Sequence, residues 1–278
     1  EGRGFRKIIH VALELVVDEI EDYFTPEFRD EEKLLSLHEA LEQVHQPENK
    51  KKLGNAISRL KYDEHFFLQL LMALKRQAKE ENLGRVFSQR GKYEKDIFES
   101  LNFTLTNAQI NVLKEIRSDL ARRNPMNRLI QGDVGSGKTI VAVLAAAIVI
   151  SHGSQVAIMA PTEILAEQHY SSFLQFCKPV NIKIALLTGN QKKADKEKVY
   201  SELDSGEIKL VVGTHALIQE GVVFQDLGMI IVDEQHRFGV EQRKALIDKG
   251  YSPEVLALTA TPIPRTLAFT IHGDMHIS

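Results

Sequence analysis

The sequence contains very little cysteine: Cys177 is the one thiol among 278 residues. An internal disulfide is therefore impossible, and a metal site built from several thiolates is excluded. The ten histidines show no metal-ligand spacing either. Because so low a cysteine content is typical of a reducing compartment, we expect a cytoplasmic protein. We expect Cys177 itself to be a small, partly buried apolar residue.

Long hydrophobic runs and an excess of positive charge are also missing. The apolar run at 140–150 is shorter than the roughly 20 residues that cross a bilayer, so we expect no membrane partner. A net charge of −3 argues against a protein that coats nucleic acid by bulk charge, and leaves DNA binding through a local basic strip open. No signal peptide opens the chain, and its first residue is Glu, so we expect part of a longer polypeptide.

Residues 1–88 are predicted to be helical, with polar connections. Ser36-Leu37-His38-Glu39 has the S-x-x-E form of a capping box, which marks a helix start. After Pro47, apolar residues recur at helical spacing and should pack as one face, with a short coiled-coil seam as the alternative. We expect the basic residues at 50–52 and Arg59 to be solvated. The apolar positions are Leu53, Ile57, Leu60, Phe67, Leu71 and Leu74.

From residue 89 to residue 278 the pattern is different. Gly, Ser, Gln and Arg interrupt the helical pattern between residues 82 and 91, and we place a domain boundary after residue 88. Short apolar runs then alternate with helical segments, which predicts an α/β domain with a mostly parallel central sheet covered on both faces. The predicted strands are 128–131, 155–159, 182–187, 209–212, 229–232 and 255–258.

The residues with unusual chemistry directly follow these predicted strands. In parallel α/β sheets the carboxyl ends of the strands meet at one edge, and ligands bind there. We therefore expect one rim to collect all of them. The segments, in strand order, are 132–139, Pro161-Thr162, Thr188-Gly189, 213–215, 233–236 and 259–261.

The segment after the first strand fits the phosphate-binding pattern G-x-x-x-x-G-K-[ST]. Its glycines let backbone N–H groups turn toward phosphate oxygens, and the next helix presents its positive end. We expect Lys138 to reach the β- and γ-phosphates and the Thr139 hydroxyl to bind Mg²⁺; a plain Gly-rich turn is the alternative. The residues are Gly132, Asp133, Val134, Gly135, Ser136, Gly137, Lys138 and Thr139.

Two further features suit a nucleotide site. Asp233 and Glu234 close an apolar strand, where one carboxylate can hold the Mg²⁺ shell and the other can deprotonate the attacking water. A helix N-cap is the ordinary alternative for such a pair. Gln109 follows Thr106 by three residues, which favours either a capping box or an amide that reads the adenine edge. These two roles for Gln109 are not exclusive.

Together these residues resemble the superfamily-two helicases. Leu105-Thr106-x-Ala108-Gln109 is similar to their adenine-reading motif, and 160–163 and 213–215 are similar to two DNA-contacting motifs. Asp233-Glu234-Gln235-His236 resembles their Mg²⁺ motif, and 259–262 the motif that couples ATP state to DNA grip. All of them occur in family order.

Within that superfamily the sequence resembles the RecG family of branched-DNA translocases. The resemblance rests on 127–139, 163–169, 233–239 and 261–266, and on Val44-His45-Gln46-Pro47 in the helical region. The transcription–repair coupling factor Mfd is the alternative, but it usually has Glu where this chain has Gln235 and a bulky residue where it has Ser136.

The resemblance implies a RecA-like fold, ATP and Mg²⁺ as cofactors, and branched DNA (forks and junctions) as the partner of a monomer. It implies that Lys138 and Thr139 bind phosphate and Mg²⁺, that Asp233 holds the metal and that Glu234 is the catalytic base. Gln235 and His236 would sense the γ-phosphate, and Thr259 and Thr261 would relay its presence. DNA phosphates would meet Pro161, Thr162, Gly189 and Thr214.

The same resemblance implies two further domains in the intact protein, an OB-fold wedge and a second RecA-like domain that supplies arginines to the γ-phosphate. We therefore expect these 278 residues to bind ATP, hydrolyse it slowly and not unwind forks. Two other classes stay open. One is a P-loop kinase or transporter ATPase, which 233–236 and 259–262 disfavour; the other is a module that only binds nucleotide and DNA.

Overall fold

The computed structural model describes residues 20–80, 83–88, 91–261 and 275–278, with residues 8–9, 11–13 and 15. The chain divides into two compact units, Glu1–Leu74 and Lys75–Ser278. This division falls before residue 88 because the residues around Phe87 pack with the second unit. Phe87 is buried there, and its N–H donates to the carbonyl of Leu120 (2.7 Å). A separate role for residues 1–88 stays a prediction.

The first unit is helical. Its helices are α1 (Pro26–Glu32), α2 (Leu37–His45) and the first part of α3 (Lys50–Glu80). Thr25 caps α1, and Ser36 and Glu39 form the predicted capping box at the start of α2. Because these side chains accept hydrogen bonds from N–H groups that lack a partner within the helix, they fix where each helix begins.

The prediction that Arg59 is solvated is wrong. Its guanidinium is fully buried, donates to Asp63 (2.7 Å) and Asp22 (2.8 Å), and lies over the ring of Phe24. The apolar positions on α3, which were predicted to pack as one face, are only partly buried. Phe67, for example, remains 45% exposed, although its ring contacts that of Tyr23. The face of α3 that is buried is instead the neighbouring one, which carries Arg59. Arg59 can be buried there because the carboxylates of Asp22 and Asp63 pair with its charge. The basic residues at 50–52 are exposed, as predicted.

The described residues of the second unit form a seven-stranded sheet in the order β3-β4-β2-β5-β6-β1-β7, in which every strand pairing is parallel. This confirms the predicted α/β class. The six predicted strands are all present, with ends shifted by up to two residues, and β7 is an addition. The strands are β1 (Asn127–Gln131), β2 (Gln155–Met159), β3 (Ile184–Leu187), β4 (Leu210–Gly213), β5 (Leu227–Asp233), β6 (Glu254–Thr259) and β7 (His276–Ile277).

Helices cover both faces of the sheet and enclose two main cores. On one face lie α4 (Lys92–Ser100), α5 (Asn107–Leu120), α6 (Lys138–Ser151) and α7 (Glu163–Cys177), and on the other α8 (Lys193–Asp204) and α9 (Val240–Ile247). Every residue from Ile140 to Ile150 is buried, so the apolar run of α6 is a core helix. Among the described residues, no helix is long and apolar enough to span a membrane. Cys177 is buried, and burial raises the pKa of its thiol to about 12.

Candidate nucleotide site

The strand order brings the predicted site residues to one edge of the sheet. β6 lies between β1 and β5, with Gln131 opposite Thr259 and Asp233 opposite Leu258. Backbone hydrogen bonds continue past the strand ends: the N–H of Gly132 donates to Thr259 (3.2 Å), and the N–H of Glu234 donates to Leu258 (2.9 Å). The phosphate-binding segment, the acidic pair Asp233-Glu234 and the threonine motif (Thr259-Ala260-Thr261) therefore share one rim, as the sequence predicts.

The segment between β1 and α6 has the backbone that a phosphate-binding loop requires. Gly135 and Gly137 have φ values of 83° and 80°, a region that favours glycine, and a Cβ on Gly137 would lie 2.3 Å from the Gln109 amide nitrogen. Lys138 Nζ donates to the carbonyls of Gly132 (2.6 Å) and Asp133 (2.9 Å). The Lys138 ammonium group therefore lies over the loop. The N–H groups of this loop directly precede the positive end of helix α6.

Gln109 connects helix α5 to this loop. Thr106 and Gln109 form the capping box of α5: the amide oxygen of Gln109 accepts from the N–H of Thr106 (2.9 Å). The amide nitrogen donates to the carbonyl of Ser136 (2.9 Å). The capping role is confirmed, and the contact with the loop was not foreseen. Adenine recognition by Gln109 stays a prediction.

Asp233 ends β5 and accepts a hydrogen bond that the sequence did not reveal. His169 Nε2 lies 2.8 Å from Asp233 Oδ2, and the side chains are 16% and 13% exposed. Since a carboxylate oxygen is an acceptor, this contact requires the histidine tautomer in which Nε2 is the donor. The two residues are 64 positions apart in the sequence. The signal that could have drawn attention to His169 is its place in the helicase-like segment 163–169.

Glu234 is held by the threonine motif. Its carboxylate accepts from the Thr259 hydroxyl (3.3 Å) and from the N–H of Ala260 (3.2 Å). The Thr259 hydroxyl is also 2.8 Å from that of Thr261. Glu234 has φ 49° and ψ 56°, a left-handed conformation that disfavours residues other than glycine. This unusual backbone turns the side chain toward the end of β6.

The other two residues of the acidic motif are placed differently. Gln235 is 5% exposed and lines a cavity of about 430 Å³ with Val232, Met126 and Arg243. Its amide oxygen has no hydrogen-bond partner among the described residues. Contact between Gln235 and a γ-phosphate stays a prediction, and in this structure its side chain faces the cavity. The His236 side chain and residues 262–266, from Pro262 onward, lie outside the described part of the chain.

The predicted DNA-contacting loops lie further along the rim. Thr162 caps α7 by accepting from the N–H of Leu165 (3.3 Å). Glu163 accepts from the backbone N–H (3.2 Å) and the amide side chain (2.5 Å) of Asn190, next to Gly189. Thr214 is only 2% exposed, so its hydroxyl is withdrawn from solvent. Contacts of these loops and of Pro161 with DNA stay predictions.

Comparison with known proteins places this geometry in a family. The model of the DEAD/DEAH box helicases matches residues 106–269. The chain is 46% identical over 274 residues to the ATP-dependent DNA helicase RecG of Synechocystis sp. and to that of Bacillus subtilis. These alignments cover 98% of this chain but only 33% and 40% of the relatives.

Solved structures agree with this assignment. The structure of RecG bound to a three-way DNA junction matches with a TM-score of 0.81 and 40% identity, over 100% of this chain and 37% of that chain. The UvsW helicase of bacteriophage T4 matches with a TM-score of 0.51 at 18% identity, which shows the shared fold alone. The chain thus spans 33% to 40% of the length of the three RecG proteins compared here.

Proposed function

Because the chain belongs to the DEAD/DEAH box helicase family, we propose that it is the ATP-binding motor domain of a helicase that remodels branched DNA. The observation that carries this proposal is the rim at which the Lys138 loop follows β1 and Asp233 ends β5, two strands separated only by β6. Similarity to RecG over nearly the whole chain favours this function over that of the coupling factor Mfd or of a P-loop ATPase that does not act on DNA.

The residues of the rim suit Mg²⁺ and a nucleoside triphosphate. Mg²⁺ is usually held by one or two protein oxygens, with phosphates and waters completing the shell. Among the residues that the structure describes, no cluster of three or more His, Cys, Asp or Glu side chains forms an all-protein metal site. Thr139 and Asp233 would supply the two oxygens. The bound ion would neutralise charge on the phosphates.

The chain's own residues would then act on ATP in three ways. The loop N–H groups and Lys138 bind the phosphates, with Lys138 exchanging the carbonyls of Gly132 and Asp133 for phosphate oxygens. Glu234, oriented by Thr259 and Ala260, accepts the proton of the attacking water. The hydroxyls of Thr259 and Thr261 connect that carboxylate to the segment that follows β6.

Branched DNA is the proposed partner. The relative that was solved on a three-way junction covers this chain completely. We propose that Pro161, Thr162, Gly189 and Thr214 lie along the DNA strand. The N–H groups of Thr162 and Gly189 and the Thr162 hydroxyl would donate to phosphates, whereas Pro161 has no N–H and would only pack against the strand. The protein would act as a cytoplasmic monomer.

The direct test is nucleotide binding by Lys138→Ala. Removing the ammonium group that faces the phosphates should abolish measurable binding of ATP with Mg²⁺ in isothermal titration calorimetry. Lys198→Ala, a change on helix α8, is the matched control and should leave affinity unaltered. Equal affinity in the Lys138 variant and the parent chain would refute the placement of the site.

A further inference from the structure

The contact between His169 and Asp233 has no assigned purpose in the chemistry described above. The pair lies at the rim, mostly withdrawn from solvent, and joins helix α7 to the end of β5. A carboxylate has two oxygens, and the imidazole donates to Oδ2 at 2.8 Å. One oxygen is thereby fixed, and the plane of the carboxylate is fixed with it.

Helix α7 leaves the imidazole little freedom. Ala166, Phe173 and Cys177 are 0%, 1% and 2% exposed and pack into the core on one face of the sheet. His169 follows Ala166 by three residues and precedes Phe173 by four, so it lies on the same face of the helix. The start of the helix is held as well, because Glu163 binds Asn190. Packing along the helix therefore aims His169 at Asp233.

We propose that His169 is a positioning residue that orients the Asp233 carboxylate for Mg²⁺ in the nucleotide complex. This inference rests on the proposed function, because it takes Asp233 as the metal-bearing side chain. Carboxylates that bind metals are themselves held by hydrogen bonds from surrounding groups, and loss of such a partner typically weakens metal binding by about 10–100-fold. His169 has the donor, the distance and the rigidity for that task.

The test compares His169→Leu with His169→Gln. Leucine fills similar space without a donor, whereas the glutamine amide nitrogen lies about as far from the backbone as Nε2 does. Binding of Mn²⁺ in the presence of ATP, measured by electron paramagnetic resonance, reads out the metal directly. We expect His169→Leu to weaken Mn²⁺ binding about 10–100-fold and His169→Gln to restore most of it. ATP binding without metal should be unchanged in both.

Controls separate the possible failures. His65→Leu, on the exposed surface of α3, should match the parent chain, and thermal melting shows whether each variant is folded. If the parent chain binds no metal–nucleotide complex, the proposed function fails. If the parent chain binds it and folded His169→Leu binds Mn²⁺ equally well or more tightly, the positioning role is overturned. Equal weakening in the leucine and glutamine variants would also overturn it, since the donor would then be irrelevant.

Discussion

At the scale of single residues, Glu234 combines a strained backbone with a side chain that hydrogen bonds hold in place. Its left-handed backbone costs about 1–2 kcal/mol for a residue with a Cβ. The hydrogen bonds from Thr259 and Ala260 hold the carboxylate in a defined orientation nonetheless. Strain of this kind concentrates at functional sites, where the surrounding structure fixes one side-chain direction. We take the conformation as support for Glu234, rather than its neighbours, as the catalytic base.

Glu234→Gln should therefore preserve nucleotide binding and remove hydrolysis. The amide keeps the size of the side chain but cannot accept a proton, and loss of a general base typically costs about 10²–10⁴-fold in rate. Single-turnover hydrolysis of ATP measures the loss, and calorimetry verifies that affinity is retained. Turnover at the parent rate in this variant would mean that another group activates the water.

Glu254 is a second residue whose environment leads to a testable prediction, here on how the free energy of unfolding depends on pH. It is 1% exposed at the start of β6, and one carboxylate oxygen has no hydrogen-bond partner among the described residues. Burial is the main cause that raises its pKa to about 8, and Asp119 adds to the effect, while a hydrogen bond from the N–H of Met126 opposes it. Since the folded protein holds this proton more tightly than the unfolded chain does, Glu254 stabilises the fold below its unfolded pKa. That contribution is lost as pH rises toward 8.

We expect the free energy of unfolding to fall as the pH is raised from about 5 to 8, by about 1 kcal/mol per pH unit for this proton. Glu254→Gln, which cannot ionise, should show a flatter dependence in urea denaturation at several pH values. Glu241→Gln, on the exposed side of α9, controls for the loss of a carboxylate. Parallel curves for Glu254→Gln and the parent chain would contradict the prediction.

At the scale of the elements, the pattern of apolar residues predicts the strands, but it does not predict the hydrogen bonds that join helices to other elements. The strands were predictable because buried parallel strands are continuous apolar runs. β7 was not, because His276 and Ile277 form no such run. The contact of His169 with Asp233 was missed for a different reason: it joins two helicase-like segments through space, and sequence spacing carries no information about that distance.

Arg59 shows the same limit in the first unit. A basic residue near an apolar stripe suggests a solvated position, yet Arg59 is the centre of a buried network with Asp22 and Asp63. Although partial burial opposes ionisation of Asp22, hydrogen bonds from Arg59 and from the N–H groups of Phe24 and Leu37 lower its pKa to about 2. The partners lie as far as 37 positions away in the sequence, so no local pattern predicts the network.

Arg59→Met should destabilise the first unit strongly. The change leaves Asp63 without the cation that it pairs with and Asp22 with Arg29 alone, and breaking a buried ion pair in this way costs about 3–5 kcal/mol. Hydrogen exchange of amides in α1, α2 and α3 localises the effect within the intact chain. Arg29→Met, which removes a more exposed partner of Asp22, should cost no more than about 1 kcal/mol. Similar exchange rates in the two variants would argue against the network.

Glu163 connects two loops that are proposed to meet DNA. By binding both nitrogens of Asn190 it fixes the loop after β3 relative to the start of α7. Glu163→Ala should therefore weaken binding of a single-stranded oligonucleotide, measured by fluorescence anisotropy. Glu167→Ala removes the same charge from the same helix and controls for reduced repulsion of phosphate. If the two variants bind equally well, Glu163 does not organise the DNA-facing loops.

At the scale of the whole molecule, the topology of the sheet forms the rim. Stimulation of ATP hydrolysis by DNA is proposed to need more of the polypeptide. Because strands β1 to β6 are all parallel, their carboxyl ends bring six segments, spread from residue 132 to residue 261, to one edge of the sheet. That much followed from the alternation of apolar runs and helices. The chain nevertheless spans only 33% to 40% of the two curated relatives compared above, so full activity is proposed to need residues that these relatives carry in addition.

We expect the 278 residues to hydrolyse ATP slowly and with little response to DNA. The resemblance to RecG implies a second motor domain that brings arginines to the γ-phosphate, and an arginine supplied in this way typically contributes about 10³–10⁵-fold in rate. Phosphate release should be measured with forked DNA, single-stranded DNA and no DNA, on this chain and on a polypeptide extended to the length of the relatives. The longer protein should be stimulated most by the fork and lose that stimulation on Lys138→Ala. Brisk fork-stimulated hydrolysis by the 278 residues alone would show that the rim is catalytically complete without a second domain.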